Sequence, residues 1–331
     1  MKPLLKIENL HLSLTQGSCT RQLLRGISFE IYPGEIVGLV GESGSGKSLT
    51  AASILGLLPS NHHVKGHIEF ENQHLLTLSP KKLSHLRGTR LSLILQDPAL
   101  ALNPLLPIGK QLMEGLYYHT GISKQEGDQK AIEWLHRVGI GDPSARMGQY
   151  PHEISGGMKQ RILIAMALMC RPSLLIADEP TTALDPTTQL QILHLLEHLQ
   201  KEEQMSLLMI THDLGVIARL CQRVMVMYAG QLIESGSVHQ IFQSPQHPFT
   251  QALLASRRAM MDSHHRPLIS LEGSAPQIHH NHQGCFFAPR CPFAMKICAR
   301  KHPPNIPSSN GSVLCWLPAA NRQQASSKGS P

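Results

Sequence analysis

The stretch that most constrains this chain is Gly41-Glu42-Ser43-Gly44-Ser45-Gly46-Lys47-Ser48. It follows a short apolar run, Ile36 to Val40, and its pattern predicts a helix from Ser48 to Leu58. Strand, glycine-rich turn and helix N-terminus follow one another without a gap. The glycines let the backbone wrap a phosphate with no Cβ in the way. The loop N–H groups and the helix dipole then favour the anion. Lys47 can reach the β- and γ-phosphates, and the Ser48 hydroxyl can ligand Mg²⁺. The bland alternative is a chance turn rich in glycine and serine, and the strand before and helix after argue against it. Alone, the stretch implies only that a nucleoside triphosphate binds.

At 331 residues the chain accommodates one large domain and a smaller one. Hydrophobic residues make up 41%, enough for a core, and aromatics only 4%, so aliphatic packing must dominate. The net charge of +7 points to an acidic partner or an anionic membrane face, although no single basic block carries it. No segment reaches the about 18 continuous apolar residues that would span a bilayer. Lys6 and Glu8 interrupt any signal-peptide core at the N-terminus. The expectation is a cytoplasmic chain whose membrane association runs through a partner.

Further along, several apolar runs end in polar residues able to do chemistry. Leu91 to Leu95 reads as a strand ending in Gln96-Asp97-Pro98, where an amide can ligand Mg²⁺ or orient a water. Residues 99 to 154 carry helical patterns and read as a helical insertion. Ile154-Ser155-Gly156-Gly157-Met158 then opens a helix, a second N-terminus suited to an anion. Ser173 to Ala177 reads as a buried strand ending in Asp178-Glu179-Pro180. There Asp178 can face Mg²⁺ while Glu179 serves a water as general base. Strand Ser206 to Ile210 ends in Thr211-His212-Asp213, which places a histidine to contact a γ-phosphate or hold the attacking water. A surface acidic pair and a structural histidine are the plain alternatives. The recurrence of polar strand ends after a phosphate loop counts against both.

In order and spacing these segments resemble the ATP-binding subunits of ABC transporters over about residues 4 to 255. The resemblance implies an α/β fold: a P-loop NTPase ABC cassette with a RecA-like core, a β-subdomain and a helical subdomain at about 99–165. It makes Gly41 to Ser48 the Walker A loop, Gln96 the Q-loop residue, Ile154 to Met158 the signature, and Asp178 the end of Walker B. Glu179 becomes the catalytic glutamate, Asp185 part of the D-loop and His212 the switch histidine. Two departures stand out. The signature reads ISGGM, with Gln160 two residues after Met158. No aromatic precedes Phe29 to stack on adenine, and Leu14 sits near the expected place.

A second resemblance covers the C-terminal part. Ser244-Pro245-Gln246-His247-Pro248-Phe249-Thr250 is similar to a segment of the oligopeptide and dipeptide importers, as are Gly284-Cys285 and Pro289-Arg290-Cys291-Pro292. Four of the seven cysteines, Cys285, Cys291, Cys298 and Cys315, fall in this tail, spaced C-x5-C-x6-C-x16-C. Four thiolates can close a zinc site or hold a [4Fe–4S] cluster. Tight C-x2-C knuckles typical of zinc ribbons are absent, and the resemblance favours the cluster. The expected domains are therefore 1–255 for the nucleotide-binding domain and 256–331 for a small cysteine-rich C-terminal domain.

The resemblance also implies a mechanism and partners. Two cassettes face each other head to tail. Lys47, Ser48, Gln96, Asp178, Glu179 and His212 act on one ATP, and Ser155 to Gly157 on the other. The region Ala99 to Leu102 reports closure to the membrane subunits. Expected partners are two integral-membrane permeases, a second homologous ATPase and, indirectly, a solute-binding protein, with no nucleic acid. The expected location is the cytoplasmic face of the inner membrane. Peptides lead as the solute, with nickel, glutathione or antimicrobial peptides as alternatives. A soluble, non-transport cassette would carry a second cassette or a long coiled-coil insertion, and only 57 residues lie between Gln96 and Ile154. A simple kinase would leave the signature unexplained.

Overall fold

A computed structural model describes residues 2–182, 184–261, 282–308 and 311–318. In chain order the strands are β1 (Leu5–Gln16), β2 (Cys19–Ile31), β3 (Ile36–Val40), β4 (His62–Phe70), β5 (Gln73–His74), β6 (Leu91–Ile94), β7 (Leu174–Asp178), β8 (Ser206–Ile210), β9 (Arg223–Tyr228), β10 (Gln231–Ser237), β11 (Asn305–Ser308) and β12 (Gly311–Leu314). The α-helices are α1 (Lys47–Leu55), α2 (Pro80–Thr89), α3 (Pro98–Ala101), α4 (Ile108–Thr120), α5 (Lys124–Arg137), α6 (Pro143–Arg146), α7 (Gly156–Leu168), α8 (Pro186–Glu203), α9 (Leu214–Leu220), α10 (Val238–Gln243) and α11 (Pro248–Met261). These divide into two compact units.

The first unit holds Ile31–Ile36 and Gln73–Ile210. Its strands β6, β7 and β8 run parallel, with Leu91 opposite Leu174 and Asp178 opposite Ile210. Every residue of β7 and β8 is buried. That is why both read as continuous apolar runs: a parallel strand covered on both faces has no polar side to show. Between β6 and β7 the chain is helical from α3 to α7, close to the expected insertion. The helix over 124–137 has a locally defined start. Ser123 and Glu126 form a reciprocal capping box there, and this local pairing fixes the start.

The second unit holds Leu5–Glu30, Val37–Asn72 and the described residues from Thr211 onward. In one sheet β1 pairs antiparallel with β4, from Leu5 opposite Phe70 to Leu14 opposite His62. The other sheet runs β11-β12-β10-β9-β3, with β3 parallel to β9 and the remaining pairs antiparallel. Helix α1 stops at Leu55, short of Leu58, because Gly56 takes a left-handed φ of 61° and turns the chain. Strand β4 begins at His62, although its first half is mostly exposed.

The cysteine tail joins this unit without a sheet of its own. Val313 of β12 lies opposite Glu234 of β10, so the tail hairpin extends an existing edge. Ile306, Val313 and Cys315 bury a small apolar cluster beneath it. Tyr228 at the end of β9 packs at 4.7 Å from Phe249 and 5.4 Å from Phe287, which ties β9, α11 and the tail together. The buried Glu234 carboxylate accepts the backbone N–H groups of Gln246 at 2.6 Å and His247 at 3.0 Å, which fixes the start of α11.

Candidate nucleotide site

The phosphate loop lies in the second unit. Its first residue, Gly41, approaches the chain so closely that a Cβ there would sit 2.2 Å from the Met227 carbonyl oxygen. Gly46 caps α1 at φ 106° with no side-chain hydrogen bond to the helix. The first N–H groups of α1 are thus left without a cap from Gly46, which suits an anion. The Lys47 ammonium is buried and donates to the carbonyls of Gly41 at 2.9 Å and Glu42 at 3.0 Å. Ser45 is 4% exposed and its hydroxyl has no hydrogen-bond partner among the described residues. A buried, unsatisfied hydroxyl beside uncapped N–H groups is chemically matched to a phosphate oxygen. Ser48 is exposed on the first turn of α1.

In the first unit, Gln96 and Glu179 come together. The Gln96 amide donates to a Glu179 carboxylate oxygen at 3.2 Å. The Thr182 hydroxyl donates to the same oxygen at 2.8 Å. Glu179 itself sits at φ +49°, a left-handed conformation costing about 1–2 kcal/mol in a non-glycine residue. Its backbone N–H, donating to the Ile210 carbonyl at 2.8 Å, helps hold it there. Asp178 ends β7 and is 8% exposed. Thr182 went unnoticed in the sequence. Its position three residues after Glu179, across a tight turn, is the signal that could have found it.

The signature residues are presented differently. Ser155 and Gly156 are exposed, and the Ser155 hydroxyl accepts the N–H of Met158 at 3.3 Å as the cap of α7. Asp185 caps α8 by accepting the N–H of Thr188 at 3.0 Å. Hydrogen bonds from Thr188 hold its carboxyl below the usual carboxylate range. His212 belongs to the second unit and is exposed just before α9.

The four tail cysteines line one small cavity with His247, Phe287 and Trp316. Burial raises the Cys285 and Cys291 thiols above their ordinary value and pushes Cys315 up to about 11. Among the described residues no three or more His, Cys, Asp or Glu side chains form a group that could hold a metal ion. A tetrahedral zinc with Zn–S near 2.3 Å needs sulfurs about 3.8 Å apart.

Residues 24–182 match the ABC transporter family, and residues 233–298 match the oligopeptide/dipeptide transporter C-terminal region. The dipeptide transport ATP-binding protein DppD of Bacillus subtilis is 48% identical over 320 residues, covering 96% of this chain and 95% of that protein. The chain belongs to the ABC transporter ATP-binding family. The oligopeptide transport ATP-binding protein OppD of Haemophilus influenzae is 44% identical over 321 residues, covering 96% of this chain and 98% of that protein. A solved ATP-binding cassette dimer, in a post-hydrolysis state with ADP and Pi, matches with a TM-score of 0.64 and 27% identity. That match covers 71% of this chain and 98% of the solved one. This ABC cassette is therefore an ATPase, and the family match includes both the phosphate loop and Asp178-Glu179.

Proposed function

We propose that this cassette energises uptake of di- and oligopeptides as the ATP-hydrolysing subunit of an importer on the cytoplasmic face of the inner membrane. The observation that carries the reading is the pairing of an ABC match at 24–182 with the oligopeptide/dipeptide C-terminal region at 233–298. Relatives named for dipeptide and oligopeptide transport align along nearly the whole chain. No helix among the described residues is long and apolar enough to cross a membrane, so the reading assigns the pathway to two permease subunits. A second, homologous ATPase completes a heterodimer, and a solute-binding protein delivers the peptide. Leu100 and Leu105, 85% and 82% exposed after Gln96, offer apolar surface for the permeases.

Within the site, Ser48, Gln96 and Asp178 would hold Mg²⁺, which supplies charge neutralisation on the phosphates. Lys47, the loop N–H groups and the Ser45 hydroxyl bind the phosphates. Glu179, held by Gln96 and Thr182, takes the proton of the attacking water. His212 orients that water against the γ-phosphate. Ser155, Gly156 and Gly157 complete the second nucleotide site across the dimer, and Asp185 lies beside that junction. Cys285, Cys291, Cys298 and Cys315 would hold a [4Fe–4S] cluster, whose role is to staple a segment with a small core. Four soft donors around one cavity support that donor set.

Deletion of the gene followed by complementation tests the reading. Wild-type chain restores uptake of a labelled tripeptide, and Glu179→Gln does not. Unchanged peptide uptake in the deletion strain overturns the peptide assignment. Metal analysis of anaerobically purified protein gives iron at about four per chain, lost in Cys291→Ser. One zinc per chain, or no metal, overturns the cluster and leaves the ATPase reading intact.

A further inference from the structure

One side chain of the tail reaches the phosphate loop. Arg290 ends a short 3-10 turn, Ala288–Arg290, directly before Cys291. Its guanidinium meets the Glu42 carboxylate through both prongs. Nη1 donates to Oε2 at 2.9 Å and Nη2 to Oε1 at 3.0 Å. Nη1 also donates to the Tyr228 hydroxyl at 3.2 Å. The Arg290 side chain is 8% exposed and that of Glu42 26%, so water screens this pair weakly. Two parallel bonds fix direction as well as distance.

Glu42 places a carboxylate in a loop that cradles anions. An uncancelled carboxylate there repels bound phosphates, and low local dielectric strengthens the repulsion. Lys47 is already engaged on the Glu42 backbone carbonyl and must serve the phosphates as well. Arg290 supplies the cancelling charge on the carboxylate. The turn that carries it is placed by the cysteine segment. Ala288 N–H donates to the Cys285 carbonyl at 3.1 Å, Cys285 N–H to Cys298 at 2.7 Å, and Cys291 N–H to Ala288 at 3.3 Å. Phe287, one residue before the turn, is buried against Tyr228 and Phe249. The guanidinium is thus in place only when the segment around the four cysteines is folded.

We propose that Arg290 is a positioning residue of the nucleotide site, cancelling Glu42 and holding the phosphate loop, so that the folded state of the four-cysteine segment sets ATP affinity. The inference rests on the reading of Gly41–Ser48 as the phosphate loop.

Binding of a fluorescent ATP analogue to the purified full-length chain tests it. Arg290→Ala leaves one like charge uncancelled and weakens binding about tenfold, the scale of one such repulsion at an effective dielectric near 20. The Arg290→Ala/Glu42→Gln double variant removes the stranded charge and recovers to within about threefold of wild type. A merely structural Arg290 gives a double variant at least as weak as Arg290→Ala, and that result, or unchanged binding in Arg290→Ala, overturns the proposal. Should Arg290→Ala not fold, Arg290→Lys replaces it, with smaller weakening and the same recovery expected. Cys298→Ser weakens binding in the wild-type background and adds nothing in the double variant. Equal weakening in both backgrounds shows that the tail acts by another route and overturns the link. Lys47→Ala separates the two readings. If it leaves binding intact, the phosphate-loop reading fails. If it abolishes binding while the Arg290 variants are neutral, only the clamp fails.

Discussion

Helices α1 and α7 both begin after glycine-rich segments, but they leave their first N–H groups in different states. Before α1 stands Gly46, which has no side chain to cap with. Before α7 stands Ser155, whose hydroxyl already accepts the N–H of Met158. The surroundings differ in the same sense. Ser45 and Lys47 are 4% and 6% exposed, whereas Ser155 and Gly156 face solvent. The end of α1 is an incomplete helix terminus held in a buried loop, and a ligand completes it. The end of α7 has one of its first N–H groups already capped by a side chain. A serine hydroxyl has one donor beside its acceptor positions, so Ser155 can cap its helix and still donate to a phosphate presented from outside. That suits a surface used only when a second cassette closes on it.

Giving α1 a cap of its own is the strongest way to break this contrast. A Cβ at Gly46 would lie 2.7 Å from Leu24 Cδ2 and 2.8 Å from Met227 Cε, at a φ of 106° that side chains avoid. Gly46→Ser is therefore expected to lose ATP binding and about 2–3 kcal/mol of stability. Titration with a nucleotide analogue and thermal melting check both. Normal binding in this variant would show that an uncapped terminus is not what the site requires.

The converse change at α7 has a smaller and differently placed effect. Ser155→Ala removes one helix cap, about 1 kcal/mol. ATP affinity of the isolated chain is expected to stay within about twofold under the proposal that this helix end serves the other nucleotide. ATPase activity of the assembled transporter is expected to fall by more than about tenfold, the scale of one lost phosphate donor. Loss of affinity in the isolated chain would mean that the two termini serve one nucleotide, and the contrast would collapse.

How much of this could be read beforehand depended on whether the cause was local. The placement of Gln96, Asp178 and His212 at or just after strand ends was legible, because a buried parallel strand must become polar where it leaves the core. The uncapped start of α1 was legible because glycine spacing dictates it. Arg290 was not, because its partner is fixed by tertiary geometry: it meets Glu42 248 positions earlier in the chain. Strands β11 and β12 were missed for a related reason. Asn305–Ser308 and Gly311–Leu314 bury only Ile306 and Val313, too little to show a period, and they are strands because β10 offers them an edge. The first half of β4, rich in histidine and lysine, is likewise a strand by pairing with β1 and not by its own composition.

The smallest effect concerns the third terminus, which tests whether capping chemistry alone separates the helices. Asp185 caps α8 with a carboxylate, and the hydrogen bonds from Thr188 depress its folded value. A depressed carboxyl contributes stability above its unfolded value, near 3.9, and loses it as pH falls through the folded value. Asp185→Asn keeps an acceptor oxygen at the cap but cannot titrate. Wild type is expected to melt above Asp185→Asn at pH 6, with the gap closing as pH falls below about 4. Ser155→Ala, which removes a cap that does not titrate, should show a gap to wild type that stays level over the same range. The residue is exposed, so added salt should shrink the Asp185 gap and spare the Ser155 one. A level Asp185 gap would place that cap in the same class as Ser155, held by acceptor geometry and not by charge.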